Sequence, residues 1–410
     1  MIYENTEHAV FVEPEQQWVV EDIRIEKIFM EFDEGGVIEM RDIQVHHYLI
    51  VYIRSILKVF YYYFKQFSIK NELSTCQHMS SILLYSGRGG YELDHFKKIF
   101  NVKDMSICQI NGFNLVDFMK VKKISLRVFL ISVHQSILTY FSVLKNKLPQ
   151  GAHYAILQYG HNNIVNYSFF DVFFNSLKKE FPDCVIYTTG VTLPAYATIK
   201  HKLKTIQLHH GLISKIDLNV YPRYSEIYVY SNDEKEYLDD TSLGSIVRIY
   251  HFDSAKRYDR LAVLILPTMI CGDIGEGEIL SLINTFRVHG YTILLRRHPL
   301  KSSWDIQTWK KKINFTDDVY AMDSASSIQD AHPSFVIGWN STALCEALNM
   351  KIIPISMMEL LNKKATGHLN VYRFRNRSLL WPSEKNIISE IVANYSQESY
   401  NETIEMLRSR

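Results

Sequence analysis

The chain has 410 residues, of which 47% are hydrophobic and 22% are charged, and its formal net charge is +1. This length predicts two domains with ample core, and the composition is typical of a soluble globular protein. The balanced charge argues against a general nucleic-acid binder, which would carry a basic excess. No stretch reaches the roughly 18 uncharged apolar residues that a membrane-spanning helix needs.

The cysteines are dispersed along the chain and form no C-x-x-C pair. They are Cys76, Cys108, Cys184, Cys271 and Cys345. An odd, scattered set is typical of reduced thiols in a cytosolic protein and argues against a disulfide framework or a zinc site. Residues 1–15 are acidic and polar, so no secretory signal is predicted. We therefore expect a cytoplasmic protein.

Residues 1–80 are the least regular part of the chain, and we assign them to an N-terminal helical and irregular segment of the first domain. Residues 46–67 and 125–144 are long apolar helix candidates that basic residues interrupt. Each helix either packs on its own domain or presents an aromatic and basic face to a membrane interface. The sequence leaves both interpretations open.

From residue 81 onward, short apolar runs alternate with helical segments. We predict strands at residues 81–85, 105–110, 152–160, 184–188, 205–208 and 226–230, and helices at 169–181 and 194–204. This alternation predicts βαβ units around a parallel sheet. The glycine loop at 86–90 lacks the G-x-G-x-x-G spacing, so we interpret it as an acceptor-side or structural loop.

A charged stretch at about residues 250–262 predicts the linker to a second α/β domain. There we predict strands at 261–266, 292–295 and 334–338, a helix at 276–288 and a terminal helical stretch at 385–410. The strands are continuous apolar runs, as expected of parallel strands that are covered on both faces.

The strand at 292–295 ends in Arg296, Arg297, His298 and Pro299. Ligands of open α/β sheets bind outside the carboxyl ends of the strands, so these side chains are candidate ligand-binding residues. The guanidinium fork of arginine suits phosphate oxygens, and histidine donates a hydrogen bond in either charge state. Proline ends the strand.

The strand at 334–338 leads through Asn340 into Ser341 and Thr342, where a helix should begin. A helix N-terminus favours anions because its first N–H groups lack partners and the helix dipole adds partial positive charge. Glu346 follows about one turn later and either reaches a ribose hydroxyl or is an ordinary surface carboxylate. Together with the arginines, these residues predict a nucleotide phosphate site.

A second polar turn, His209-His210-Gly211, follows the strand at 205–208. Glycine permits a tight turn that projects a histidine side chain into a cleft. Histidine titrates near neutral pH and can act as a general base. Alternatively, the two histidines cap the strand end through backbone hydrogen bonds.

We predict no metal site. The two adjacent histidines would point in opposite directions on an extended strand. Neither Asp239-Asp240 nor Asp317-Asp318 directly follows an apolar strand, and we interpret both pairs as solvated turns.

The order of these motifs, a His-Gly turn followed by a His-Pro turn and a Ser/Thr turn, resembles the GT-B class of glycosyltransferases over roughly residues 150–360. The most similar pattern is that of bacterial sialyltransferases, polysialyltransferases and Kdo transferases. In those enzymes, motifs resembling Arg297-His298-Pro299 and Ser341-Thr342 hold the CMP part of the donor. The resemblance implies an α/β, GT-B-like fold with two Rossmann-like domains whose parallel sheets face a central cleft.

The turn at His209, His210 and Gly211 departs from that pattern, since these families carry their base on an acidic-Gly motif. It is more similar to the teichoic-acid polyol-phosphate polymerases, which use CDP-glycerol and a histidine base. The resemblance therefore implies His210, or His209, as the base.

The resemblance implies an inverting, metal-independent glycosyltransferase that needs no cofactor besides its donor. It would move a CMP-activated acidic sugar, sialic acid, a related nonulosonate or Kdo, to a hydroxyl of a capsule or lipopolysaccharide acceptor. The alternatives are a CDP-glycerol or CDP-ribitol transferase, an enzyme for another nucleotide sugar, and a non-catalytic assembly subunit. The expected partners are the donor, an oligosaccharide or glycolipid acceptor and, peripherally, the inner face of the plasma membrane.

These assignments divide the chain into four parts. Residues 1–80 begin the first domain, 81–255 form its acceptor-side Rossmann-like part, 256–382 form the nucleotide-donor-binding Rossmann-like domain, and 383–410 form a C-terminal helix.

Overall fold

A computed structural model gives the structure of the protein. It describes residues 45–69, 80–85, 96–97, 99–100, 107–112, 114–123, 125–145, 161–189, 193–209, 221–241, 243–250, 260–266, 275–297, 305–316, 319–322, 328–339, 342–357, 359 and 376–410. The strand predicted at 152–160, the glycine loop at 86–90 and the pair Asp317-Asp318 lie outside these residues.

The first half contains a six-stranded sheet. Its strands are β1 (Ser81–Tyr85), β2 (Ile107–Asn111), β3 (Val185–Thr189), β4 (Lys204–Leu208), β5 (Glu226–Val229) and β6 (Ile246–Ile249). The order across the sheet is β2-β1-β3-β4-β5-β6, and β1 to β5 pair in parallel. The order 2-1-3-4-5 is that of a doubly wound α/β fold.

Among the described residues of this half, six α-helices have defined bounds. They are α1 (Val45–Lys65), which a 3₁₀ turn (Gln66–Ser68) extends, α2 (Leu115–Val121), α3 (Leu126–Lys145), α4 (His161–Glu180), α5 (Leu193–Lys200) and α6 (Asn232–Asp240). Phe118 of α2 contacts Phe170 and Phe173 of α4, with ring centroids 4.8 and 5.2 Å apart. These rings therefore form part of the core between α2 and the apolar side of α4.

The second half contains a five-stranded parallel sheet. Its strands are β7 (Leu261–Ile265), β8 (Thr292–Arg296), β9 (Tyr320–Met322), β10 (Phe335–Gly338) and β11 (Ile353–Ser356). Their order is β9-β8-β7-β10-β11, and each neighbouring pair is parallel. Counted within this half, the order is 3-2-1-4-5, which is the Rossmann order.

The part of the second half that the structure describes contains six α-helices. They are α7 (Glu276–Val288), α8 (Ile306–Ile313), α9 (Ile328–Ala331), α10 (Thr342–Asn349), α11 (Lys385–Ala393) and α12 (Gln397–Ser409). Asp305 begins α8 as its N-cap, because its side chain accepts a 2.8 Å hydrogen bond from the N–H of Thr308. The hydroxyl of Tyr400 on α12 donates to the carbonyls of Ser334 and Lys351, which holds the terminal helix against the sheet.

The described residues divide into two compact units that interleave along the chain. Those up to Leu208, with 221–228 and 243–246, form the first unit, and His209, 229–241 and the residues from Val247 onward form the second. The second unit therefore includes α6, whose buried Asp233 accepts a 2.7 Å hydrogen bond from the N–H of Arg377 and pairs with its guanidinium. The boundaries drawn from the sequence contain no such interleaving.

Each of the two units contains parallel strands that alternate with helices. This confirms the predicted fold class of two Rossmann-like domains. The strand at 81–85 and the helix at 276–288 have the predicted bounds, and other elements differ at their ends. The helix predicted at 194–204 ends at Lys200 because Lys202 adopts a left-handed conformation, with φ of 55°. No described helix is long and apolar enough to cross a bilayer.

The interpretation of Asp239-Asp240 as a solvated turn was wrong. Both residues are exposed, but they form the last positions of α6. This helix begins at the N-cap Ser231, whose hydroxyl accepts a hydrogen bond from the N–H of Glu234. The helix is rich in charged residues and lacks a clear apolar periodicity, which is the signal by which helices were predicted from the sequence.

Burial raises the pKa of the Cys184 thiol to about 12. Because the thiolate is the reactive form, we expect Cys184 to resist alkylation at pH 8 in the native protein. Pulse alkylation followed by peptide mass spectrometry should label the partly exposed Cys108 faster than Cys184. In denaturant the two rates should converge, and equally fast native labelling would contradict the described core.

Candidate functional site

The carboxyl edge of the second sheet has the topology of a ligand site. The strand order reverses direction between β7 and β10, and open α/β sheets bind ligands at such a switch point. Ile265 at the end of β7 pairs in register with Arg296 of β8 on one side and Gly338 of β10 on the other. Since neighbouring strands lie about 4.8 Å apart, the backbones of Arg296 and Gly338 are roughly 10 Å apart.

Gly338 packs close to β7 and α10. A methyl group added to its Cα would lie 3.4 Å from Cβ of Ile265 and 3.8 Å from Cδ2 of Leu344, which is ordinary van der Waals contact. Ala343, Leu344 and Ala347 are buried and pack the helix on the sheet. The amide of Asn349 at the other end of α10 donates to the carbonyl of Tyr230 over 2.8 Å.

Arg296 occupies the last position of β8, as the sequence predicts. Its carbonyl accepts a 2.9 Å hydrogen bond from the N–H of Leu266, which fixes its backbone. Burial lowers the pKa of its guanidinium, and the nearby charge of Glu346 acts in the opposite direction. The Nε of Arg296 is buried and has no hydrogen-bond partner among the residues that the structure describes.

Trp339 directly follows β10 and is only 2% exposed. Its indole Nε1 is also buried without a partner in the described part of the chain. No role was predicted for Trp339, because a tryptophan after an apolar run marks a strand end but does not show that its indole N–H is buried without a partner.

These two donors share one physical property. A buried donor without a partner costs about 1–3 kcal/mol, so such groups are rare and call for an explanation. Arg296 ends β8 and Trp339 directly follows β10, the two strands that flank β7, so both residues stand at its carboxyl edge. One acceptor oxygen at each donor would complete the hydrogen bonding.

The helix α10 brings two further predicted residues to the edge. Thr342 is its first residue, and Glu346, one turn later, is half-buried. The charge of Glu346 raises the pKa of the Arg296 guanidinium and so partly offsets the lowering by burial. The predicted ribose contact of Glu346 stays a prediction.

The remaining predicted donor residues lie outside the described residues. They are His298, Pro299, Asn340 and Ser341. Arg297 is described and half-buried, and it follows Arg296 at the end of β8.

His209 follows β4 directly, and it is half-buried. Its carbonyl accepts a 2.9 Å hydrogen bond from the hydroxyl of Tyr250, which fixes the start of the turn. His210 and Gly211 lie outside the described residues, so the assignment of the base stays a prediction.

Within the described ranges, no group of three or more His, Cys, Asp and Glu residues is placed to hold a metal ion.

No protein-family model and no curated protein matches the chain. Among solved structures, it is similar to UDP-GlcNAc 2-epimerase from Methanocaldococcus jannaschii, with 11% identity, a TM-score of 0.42 and coverage of 80% of this chain and 99% of that chain. For UDP-GlcNAc 2-epimerase from Neisseria meningitidis, the identity is 8%, the TM-score 0.40 and the coverage 80% and 97%. For TarM, the values are 10%, 0.36, 60% and 54%. Similarity at this level assigns no activity or substrate.

The electrostatics of this edge predict that Arg296 and Glu346 do not stabilise the fold. We expect the double variant Arg296→Met/Glu346→Gln to melt at the same temperature as the native protein or slightly higher. The reason is that the double change removes both charges together, and replacing a partly buried charged pair by groups of similar volume is often neutral or stabilising. Thermal denaturation followed by circular dichroism measures this, and a loss of many degrees would show that the pair is structural.

Proposed function

We propose that the chain is a GT-B-like glycosyltransferase that binds a nucleotide sugar at the carboxyl edge of β8, β7 and β10. The observation that carries this proposal is the pair of buried donors, Nε of Arg296 and Nε1 of Trp339, which have no partner in the described structure. Both stand beside the switch point of a Rossmann-order sheet, where such sheets bind their ligands.

The chemistry of this edge favours a phosphate over a neutral ligand. Arg296 and Arg297 supply two guanidinium groups, which match phosphate oxygens in shape and charge. The helix α10 begins four residues after β10 ends, and its dipole adds partial positive charge on that side. The nucleotide phosphate is therefore the part of the donor that we assign to this edge.

The proposed reaction is a single displacement with inversion. The base, His210 or His209, takes the proton of the acceptor hydroxyl as the hydroxyl oxygen forms a bond to the anomeric carbon. The bond between that carbon and the phosphate oxygen breaks, and the electron pair leaves with the nucleotide. Arg296, Arg297 and His298 stabilise the negative charge that develops on the phosphate, and this arrangement requires no metal ion.

The donor that we propose is a CMP-activated acidic sugar, with sialic acid, a related nonulosonate or Kdo as the sugar. The support is the resemblance of Arg297-His298-Pro299 and Ser341-Thr342 to the CMP-binding motifs of bacterial surface-polysaccharide transferases. The proposed acceptor is a hydroxyl of a capsule or lipopolysaccharide glycan, and the proposed location is the cytoplasm.

Nucleotide binding is the first test of this site. A ligand that binds only the folded state raises the free energy of unfolding by RT ln(1 + [L]/Kd), and the melting temperature rises as a result. We expect CMP to raise it more than CDP, UDP or GDP does in the same thermal-shift experiment. Arg297→Ala should abolish the rise, because it removes a phosphate contact.

The matched control for that variant is Arg287→Ala. Arg287 lies near the end of α7, where its guanidinium donates a hydrogen bond to Asn284. It comes before the amino end of β8 and therefore lies away from the carboxyl edge. It should respond to CMP as the native protein does. A larger shift with UDP or GDP would overturn the CMP donor while keeping the site, and no shift with any nucleotide would overturn the site.

Turnover should depend on His298. We expect His298→Ala to reduce kcat by about a hundredfold or more, since one donor to a developing oxyanion is worth that much, with an unchanged melting temperature. The measurement is release of CMP from a CMP-sugar in the presence of acceptor glycan. The control is His289→Ala, which lies at the amino end of β8. Full activity of His298→Ala would remove this residue from the site.

A further inference from the structure

Two helices of the first unit expose large apolar side chains instead of burying them. Of the sixteen large apolar side chains that are exposed among the described residues, thirteen lie on α1 with its 3₁₀ turn and on α3. We call these thirteen the apolar face. It consists of Leu49, Ile50, Ile53, Leu57, Phe60, Tyr61, Phe64, Phe67, Leu126, Leu130, Ile131, Leu138 and Phe141.

The spacing of these residues puts them on one side of each helix. On α1, Ile50, Ile53, Leu57, Phe60 and Phe64 follow one another at intervals of three or four residues, which is a single helical stripe. Isolated exposed apolar residues need no explanation, but a continuous stripe along a whole helix does.

The inward side of the same helices is partly polar. Ser55 of α1 and Ser132 and Ser136 of α3 are buried. The hydroxyl of Ser136 lies 3.3 Å from that of Ser168 on α4. The inward side therefore mixes serines with apolar side chains such as Val51, Val59 and Phe129, while a larger set of apolar side chains points outward.

The two stripes form one surface. Phe129 of α3 contacts Phe60 and Tyr63 of α1, with ring centroids 5.0 and 4.4 Å apart, so the helices lie side by side. The thirteen side chains are between 39% and 65% exposed. At about 200 Å² for each full side chain, the face covers on the order of 1,000 Å², which exceeds the roughly 300–600 Å² of the largest patch on a typical monomer.

The charge of these helices selects the occupant. Neither α1 nor α3 contains an aspartate or a glutamate, although the whole chain is nearly neutral. Arg54 and Arg127 are exposed beside the apolar face, and the ammonium of Lys65 lies 5.1 Å from the ring centre of Tyr61. A second copy of this face would oppose basic groups to basic groups, whereas an anionic lipid surface complements them.

We propose that α1 and α3 form a docking face for an anionic lipid bilayer, lying in the plane of the interface. The apolar face enters the boundary between headgroups and acyl chains, to a depth of about 5–10 Å. Arg54, Lys65 and Arg127 bind lipid phosphates at the rim.

This inference rests on the exposed face and stands apart from the proposed nucleotide site. The test is flotation of the full chain with vesicles of phosphatidylcholine alone and with vesicles of equal parts phosphatidylcholine and phosphatidylglycerol. We expect the protein to float with the anionic vesicles. The fraction that floats with the neutral vesicles should be at least tenfold smaller. High salt should weaken the binding because it screens the basic residues.

The decisive variants change exposed side chains, so the fold should survive, and thermal denaturation checks that it does. Phe64→Glu/Leu130→Glu should lose about tenfold or more of the binding to anionic vesicles. The matched control is Ile246→Glu/Val288→Glu, which changes two exposed apolar residues off the face and should bind as the native protein does.

Three results would overturn the proposal. The first is a native protein that does not float with anionic vesicles, which would mean that a protein surface or another segment of this chain covers the face. The second is a Phe64→Glu/Leu130→Glu variant that floats like the native protein. The third is a native protein that light scattering shows to be a dimer without lipid, while the Phe64→Glu/Leu130→Glu variant is a monomer and the control variant is still a dimer. The face would then bind a second copy of the chain.

Discussion

The backbone pairing of β7 with β8 on one side and β10 on the other puts Arg296, Ile265 and Gly338 in one row at the carboxyl edge of the second sheet. Parallel pairing makes the strands end together, and α10 begins four residues after Gly338. The arginines, Trp339 and the start of the helix follow the ends of these strands, so they lie at the same edge of the sheet. A shift of one residue in β8 would turn the side chain of Arg296 to the other face of the sheet.

The two units use buried and exposed groups in ways that stability alone does not explain. In the second unit, Arg296 and Trp339 hold buried donors for which the described residues provide no partner, and an unsatisfied buried donor costs free energy. In the first unit, α1 and α3 expose apolar side chains and bury serines. Such departures from favourable packing are typical of functional sites, and they occur here at two separate places.

The sequence predicted the elements whose signal is local and missed those whose signal is not. Apolar runs located β1, β7, β8 and β10 because buried parallel strands are continuously hydrophobic. The sequence-based prediction missed the charged helix α6, the half-exposed strand β6 and the three-residue strand β9, since none of these elements has a clear apolar periodicity. At the candidate site, residue types pointed to Arg296, but the lack of a partner at Trp339 depends on tertiary structure and has no sequence signal.

The indole N–H of Trp339 offers the most direct test that a ligand oxygen fills this edge. Nitrogen-15 labelling of the five tryptophans gives five indole resonances, and Trp339→Phe identifies the one that belongs to Trp339. If a nucleotide phosphate accepts from the unpaired donors, this resonance moves downfield on saturation with CMP while that of Trp309, buried in the core, stays in place. A Trp339 resonance that does not move with any of CMP, CDP, UDP and GDP would contradict the account.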